Sequence, residues 1–178
     1  MPRKEKNMDQ WTYTHPHDPH KLSMHDCKVT QIDLECTEEC GRMTWHFADG
    51  VWVTPAIECH EITEICRTAE ARVIFAGKYM VEEYDPAVAV CIKSRWHGKD
   101  KRLNTETWEH MPLGEFVAKF QDGGWSLEIF DTYDEAGNFL ITGEIHTPKE
   151  KWWRSFRMSF IAETADYFWN AIRPDRVW

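Results

Sequence analysis

Apolar residues recur at every second position through most of the chain. In GRMTWHFADGVWV, Met43, Trp45 and Phe47 alternate with Arg42, Thr44 and His46, the period of a strand with one buried face. The same rhythm carries Ala69, Ala71, Val73 and Phe75, then Val88, Val90 and Ile92, then Trp125, Leu127 and Ile129. It continues through Phe139, Ile141 and Ile145, and through Trp152, Phe156, Met158 and Phe160, with Trp153, Ser155, Arg157 and Ser159 on the other face. Asp49-Gly50 reads as a hairpin turn, because type I′ turns need positive φ, and DEAGN at 134–138 reads as a second turn between strands. In HDCKVTQIDLEC, Ile32, Leu34 and Cys36 keep one phase while Cys27 and Val29 keep the other, which predicts a single strand with a bulge.

One segment breaks the rhythm. PLGEFVAKFQDGG places Leu113, Phe116, Val117 and Phe120 at spacings of three and four, with Pro112 at its start and Gly123-Gly124 at its end, which predicts a helix. Residues 55–68 fit either a short strand or a helical turn. The terminal ADYFWNAIRPDRVW predicts a strand around Tyr167 to Trp169, with a closing helix as the alternative. Residues 1–24, interrupted by Pro2, Pro16 and Pro19, read as an irregular lead-in to a single β-rich domain over 25–178. Antiparallel hairpins with one helix and no βαβ alternation give an α+β class, built on a curled antiparallel sheet or open barrel.

Composition sharpens this picture in two places. Ten Trp, nine Phe and five Tyr in 178 residues strengthen the β reading, since aromatic rings suit pleated, half-buried surfaces. A formal charge of −9 argues against nucleic acid and anionic membranes and favours a basic protein partner. No run approaches a membrane span and no apolar stretch near the N-terminus suits a signal peptide, so the expected setting is cytoplasmic, with the six cysteines reduced. The glycine-rich loops GxxxxGK[ST] and GxGxxG are absent from the sequence, which disfavours the usual nucleotide cofactors.

Four stretches carry the residue types of chemistry. HPHDPH gathers His15, His17 and His20, and resembles the HxHxDH signature of the metallo-β-lactamase family. Pro19 stands where that signature needs its metal-binding Asp, and no strand is predicted to hold the ligands rigidly. Cys36 and Cys40, with Cys59 and Cys66, form a candidate four-thiolate zinc set, but C-x3-C and C-x6-C depart from the usual C-x2-C spacing. His25, Asp26 and Cys27 hold the residue types of a cysteine triad. Neighbours on a strand face opposite ways, and His25 would sit ~7 Å along the strand from Cys27. The sequence therefore points to no catalytic residue, no cofactor and no metal. Glu82, Glu83 and Asp85 read as a solvated turn rather than glycosidase carboxylates, and KSRWHGKDKR at 93–102 as a polar loop rather than a nucleic-acid contact.

His25-Asp26-Cys27, the Phe47-x-Asp49-Gly50 turn, and Tyr167 and Trp169 near the end resemble a loose group of small uncharacterised bacterial β-rich proteins, some of them similar to immunity proteins of toxin systems. The resemblance carries no activity. It implies a small, acidic cytosolic domain with no assembled active site. With the charge and aromatic content, the expected function is a non-enzymatic protein-interaction domain presenting an acidic, aromatic-rich face, and exposed aromatics are compatible with a homodimer. The alternative is a small-molecule or metal-binding barrel, or an enzyme whose site is not contiguous in sequence. The two differ in form: a flat patch of exposed rings serves the first, a cleft with convergent polar groups the second.

Overall fold

The structure, a computed structural model, describes residues 11–37, 40–78, 87–95, 105–149 and 153–178. Three antiparallel sheets enclose a common core. A five-stranded sheet runs in the order β1 (Tyr13–Pro16), β14 (Thr164–Trp169), β8 (Ala71–Gly77), β5 (Gly41–Phe47), β4 (Gln31–Cys36). A six-stranded sheet runs β10 (Thr105–Met111), β9 (Ala87–Arg95), β13 (Arg154–Ile161), β12 (Asn138–His146), β11 (Ser126–Glu135), β3 (Cys27–Val29). The third has four short strands, β15 (Ile172–Val177), β7 (Cys66–Thr68), β6 (Trp52–Val53) and β2 (Leu22–Ser23). With α1 (Leu113–Gln121) as the single helix among the described residues, the class is α+β, and the curled sheets do not close into a barrel. That helix is too short to cross a membrane.

The period-two residues are the ones that reach the core. Met43, Trp45 and Phe47 on β5, Val73 and Phe75 on β8, Ile141 and Ile145 on β12, and Phe156 and Met158 on β13 are all buried. Rings join the sheets across the interior. Phe75 lies edge-on to Phe139 (5.2 Å between centroids) and to Phe160 (4.9 Å), which themselves stack at 5.4 Å. α1 buries Leu113, Phe116, Val117 and Phe120, and the Phe116 ring stacks on Phe156 of β13 at 5.2 Å.

Three sequence expectations are corrected. Cys27 and Val29 differ in phase from Ile32 because the chain changes sheets at Thr30, not because one strand bulges: β3 pairs with β11 and β4 with β5. Asp49-Gly50 is a turn without a hairpin, since β5 pairs with β4 and β8 while β6, just beyond the turn, pairs with β2 and β7. Residues 11–24 are not an irregular lead-in. β1 pairs with β14 from Tyr13↔Trp169 to Pro16↔Asp166, and β2 pairs with β6. The inward positions of this segment include His15 and His17 beside Tyr13, so counting histidine as polar concealed its alternation.

Over 55–68 the chain forms turns and bends followed by strand β7, and strand 164–169 contains the predicted Tyr167 to Trp169.

Candidate binding cleft at His17

β1 ends at Pro16, but its ladder continues one step as His17 N–H donates to Ala165 O (2.7 Å). A tight turn follows: Asp18 O accepts from Lys21 N (3.0 Å) and Leu22 N (2.9 Å), and Asp18 Oδ1 accepts from His20 N (2.9 Å). This backbone holds the His17 ring inside the fold, with its side chain only 10% exposed. The ring stacks on Tyr167 (5.8 Å, 18°) and meets Phe139 edge-on at 5.5 Å. The Tyr167 hydroxyl and Nδ1 are hydrogen-bonded at 3.2 Å, the donor set by the imidazole tautomer, and Nε2 lies 3.7 Å from Asp134 Oδ2, beyond hydrogen-bond reach. Nε2 is buried without a hydrogen-bond partner.

The electrostatics favour an uncharged pair. Burial lowers the His17 pKa below 6.5, outweighing the nearby carboxylates of Asp134 and Asp18, so the imidazole is neutral at pH 7. Burial also pushes the Tyr167 phenol far above its ordinary value, and it remains a hydroxyl at any physiological pH. A neutral imidazole and a hydroxyl each donate and accept, so their shared proton can be arranged to suit a third group.

His17 separates two clefts. The larger, about 340 Å³, is bordered by His17, Ser23, His25, Thr132, Tyr167 and Trp178. The smaller, about 260 Å³, lies on the Asp134 side, with Phe139, Glu163 and Asp166 on its walls. Thr132 Oγ1, like His17 Nε2, is buried with no partner. One wall of the larger cleft is aromatic. The His25 ring stacks on Trp178 (5.3 Å), donates from Nδ1 to Phe130 O, and has its carbonyl engaged by Trp52 Nε1–H (2.8 Å).

Cys27 lies beneath this wall and is fully buried. Burial pushes its thiol pKa up to about 11, although the Arg67 guanidinium pulls the other way, so the nucleophilic thiolate is scarce at neutral pH. Sγ–H points to the carbonyls of His25 (3.4 Å) and Ser23 (3.9 Å). His25 belongs to the turn before β3, where Asp26 has φ +52°, and its imidazole is committed to Phe130 O. The triad types therefore do not assemble around Cys27.

The three clustered histidines diverge. His15 Nδ1–H donates to Pro16 O (2.6 Å) and its Nε2 lies 3.8 Å from Glu58, His17 turns to Tyr167, and His20 is exposed. Cys36 and Cys40 flank the β4–β5 connection of the five-stranded sheet, Cys66 is buried in β7 of the four-stranded sheet, and Cys59 is exposed in the loop before it. No disulfide links the six cysteines, all of which are described. Among the described residues no three His, Cys, Asp or Glu side chains converge on a point that would hold an ion. Glu82, Glu83, Asp85 and residues 96–102 of the basic stretch lie outside the described residues.

Of the cleft residues, the sequence marked His17 as a candidate metal ligand that it then set aside, His25 as a candidate triad member and by resemblance, and Tyr167 by resemblance. Asp134 and Thr132 carried no local mark, because they reach His17 through sheet packing across more than 100 positions of sequence. Compared with protein-family models, curated proteins and solved structures, the chain matches none.

Proposed function

We propose that this protein binds a small organic molecule in the clefts that meet at His17, with the His17–Tyr167 pair and Thr132 as its polar recognition groups. The observation that carries this reading is the pair of buried, unpartnered polar atoms, His17 Nε2 and Thr132 Oγ1, on residues that border the larger cleft. A buried polar group left unpaired costs ~1–3 kcal/mol, a penalty that a ligand offering complementary hydrogen bonds removes. The volume of about 340 Å³ lies within the range of small-molecule sites, and Trp178, stacked on His25, supplies apolar surface beside the polar groups. The setting we propose is cytosolic.

The test is a fragment screen by two-dimensional NMR on the full chain, using small phenols, amides, carboxylic acids and amines. Binders are expected to shift the resonances of His17, Thr132 and the Trp178 indole, and Thr132→Val is expected to weaken those that do. A screen in which no fragment moves these three residues would refute the reading.

A second reading, a protein-interaction domain of the immunity-like kind, draws on a different surface. Tyr133 lies directly opposite Leu140 on the outer face of the β11–β12 pair, and with Ile161 on β13 both are exposed large apolar side chains. Co-purification of a discrete basic partner from the native host, abolished by Leu140→Asp, is the expected result under that reading. Retention of the partner by that variant would count against this face.

A further inference from the structure

Resting on the small-molecule reading above, we infer that the 260 Å³ cleft on the Asp134 side of His17 receives an organic ammonium group, a protonated amine carried on a short apolar chain or ring. Three acidic residues, Asp134, Glu163 and Asp166, are among those that border this space, with the Asp134 carboxylate turned to His17, and no lysine or arginine among the described residues lines it. The one basic ring on its wall, His17, is held neutral by burial, so the carboxylates keep their negative field. An anionic ligand would be repelled here, and a neutral one would leave that field unanswered.

The geometry at Asp134 narrows the class. Oδ1 accepts from the Gly137 N–H (3.1 Å), which fixes the carboxylate and leaves Oδ2 facing His17 Nε2 across 3.7 Å. Two acceptors at that separation can share one nitrogen that donates to both at ~2.8–3.0 Å. His17 Nε2 accepts in the tautomer whose proton sits on Nδ1 and is donated to the Tyr167 hydroxyl oxygen across the 3.2 Å contact. Nε2 is the unpartnered atom of a side chain nine-tenths buried, so an incoming N–H satisfies a group the fold has left open. A metal ion suits the space less well. The described carboxylates and imidazole do not converge closely enough to hold one, and the volume together with the Phe139 ring fits an ion carrying an apolar body.

The experiment is isothermal titration calorimetry of the full chain with benzylammonium chloride and, as the uncharged counterpart, benzyl alcohol. Benzylammonium is expected to bind about tenfold more tightly than the alcohol, and Asp134→Asn to remove most of that difference. Because Asp134 also caps the turn at Gly137, Asp166→Asn serves as a second variant, with circular dichroism verifying the fold of both, and is expected to weaken the amine about threefold. Equal binding of amine and alcohol overturns the ammonium inference and leaves the small-molecule reading standing. Unchanged amine affinity in both folded variants also overturns it. Absence of binding by either probe overturns it too, while shifts of other fragments at Thr132 and Trp178 decide the broader reading separately.

Discussion

A histidine normally advertises chemistry by its charge, and His17 is informative because it has given that charge up. In the unfolded chain its imidazole takes up a proton near pH 6.5, and in the fold burial holds that event lower. Below about pH 6.5 the unfolded chain therefore binds more protons than the folded one, and acid moves the equilibrium toward unfolding. His60, which accepts the Trp169 indole N–H at Nε2 (2.9 Å) and is likewise shifted down by burial, acts in the same direction. Thermal melts of wild type and His17→Gln are expected to diverge on acidification from about pH 7 to pH 5, with wild type losing more. Parallel curves would mean that the buried ring does not resist protonation.

The cysteines give the complementary case. Cys27, Cys66 and Cys91 are buried, while Cys36, Cys40 and Cys59 are exposed. Brief treatment of the native protein with iodoacetamide, read by peptide mass spectrometry, is expected to label the second group and spare Cys27 until denaturant is added. The sequence placed Cys27 and Val29 in one phase of a strand, and both are buried. It could not identify the pairing of His17 with Tyr167 and Asp134, because a hydrogen bond or close approach across more than 100 residues leaves no mark in local spacing.

At the scale of elements, strands were legible wherever one face was buried and the other wet, as on β5, β8 and β12, and α1 by its change of period. Which strand pairs with which was legible only in part: the turn at 134–138 does join β11 to β12, and β13 does pair with β12. The turn at Asp49-Gly50 has the composition of a hairpin, and only packing against β7 shows that the chain is passing to another sheet. Gly50 has φ +78°, its N–H donates to Phe47 O (3.1 Å), and an added Cβ would come within 2.0 Å of Ala69 O. The neighbouring contact is Thr68, whose buried hydroxyl accepts from Val51 N (3.0 Å), so the backbone there has no room to yield. Gly50→Ala is expected to destabilise by ~3 kcal/mol in urea unfolding, combining positive-φ strain with a backbone clash. Gly114 offers the control. It lies in α1 with nothing within 4 Å of an added Cβ, and Gly114→Ala is expected to stabilise by ~0.5 kcal/mol. If the two variants behave alike, the sheet change does not depend on the close approach at Gly50.

For the molecule as a whole, the question is whether three sheets unfold as one body. The rings argue that they do. Phe75 of the five-stranded sheet, fully buried, contacts Phe139 and Phe160 of the six-stranded sheet and Trp45 within its own (5.6 Å). The four-stranded sheet enters the same core through Leu22, Val53 and Cys66. No sheet can leave without exposing apolar surface on another, so unfolding is expected to be cooperative, with far-ultraviolet and near-ultraviolet dichroism coincident through a single transition. Phe75→Ala is expected to lower stability by ~4 kcal/mol, the cost of a large cavity at the junction, and to separate the two signals if the junction is what couples the sheets. The clefts are tied to the same junction, because the His17 ring packs edge-on against Phe139. A ligand that binds only the folded state at His17 is therefore expected to raise the midpoint of the whole transition, by ~2.7 kcal/mol of added stability when present at a hundred times its dissociation constant. A bound ligand that raised only part of a split transition would show the sheets to be independent bodies.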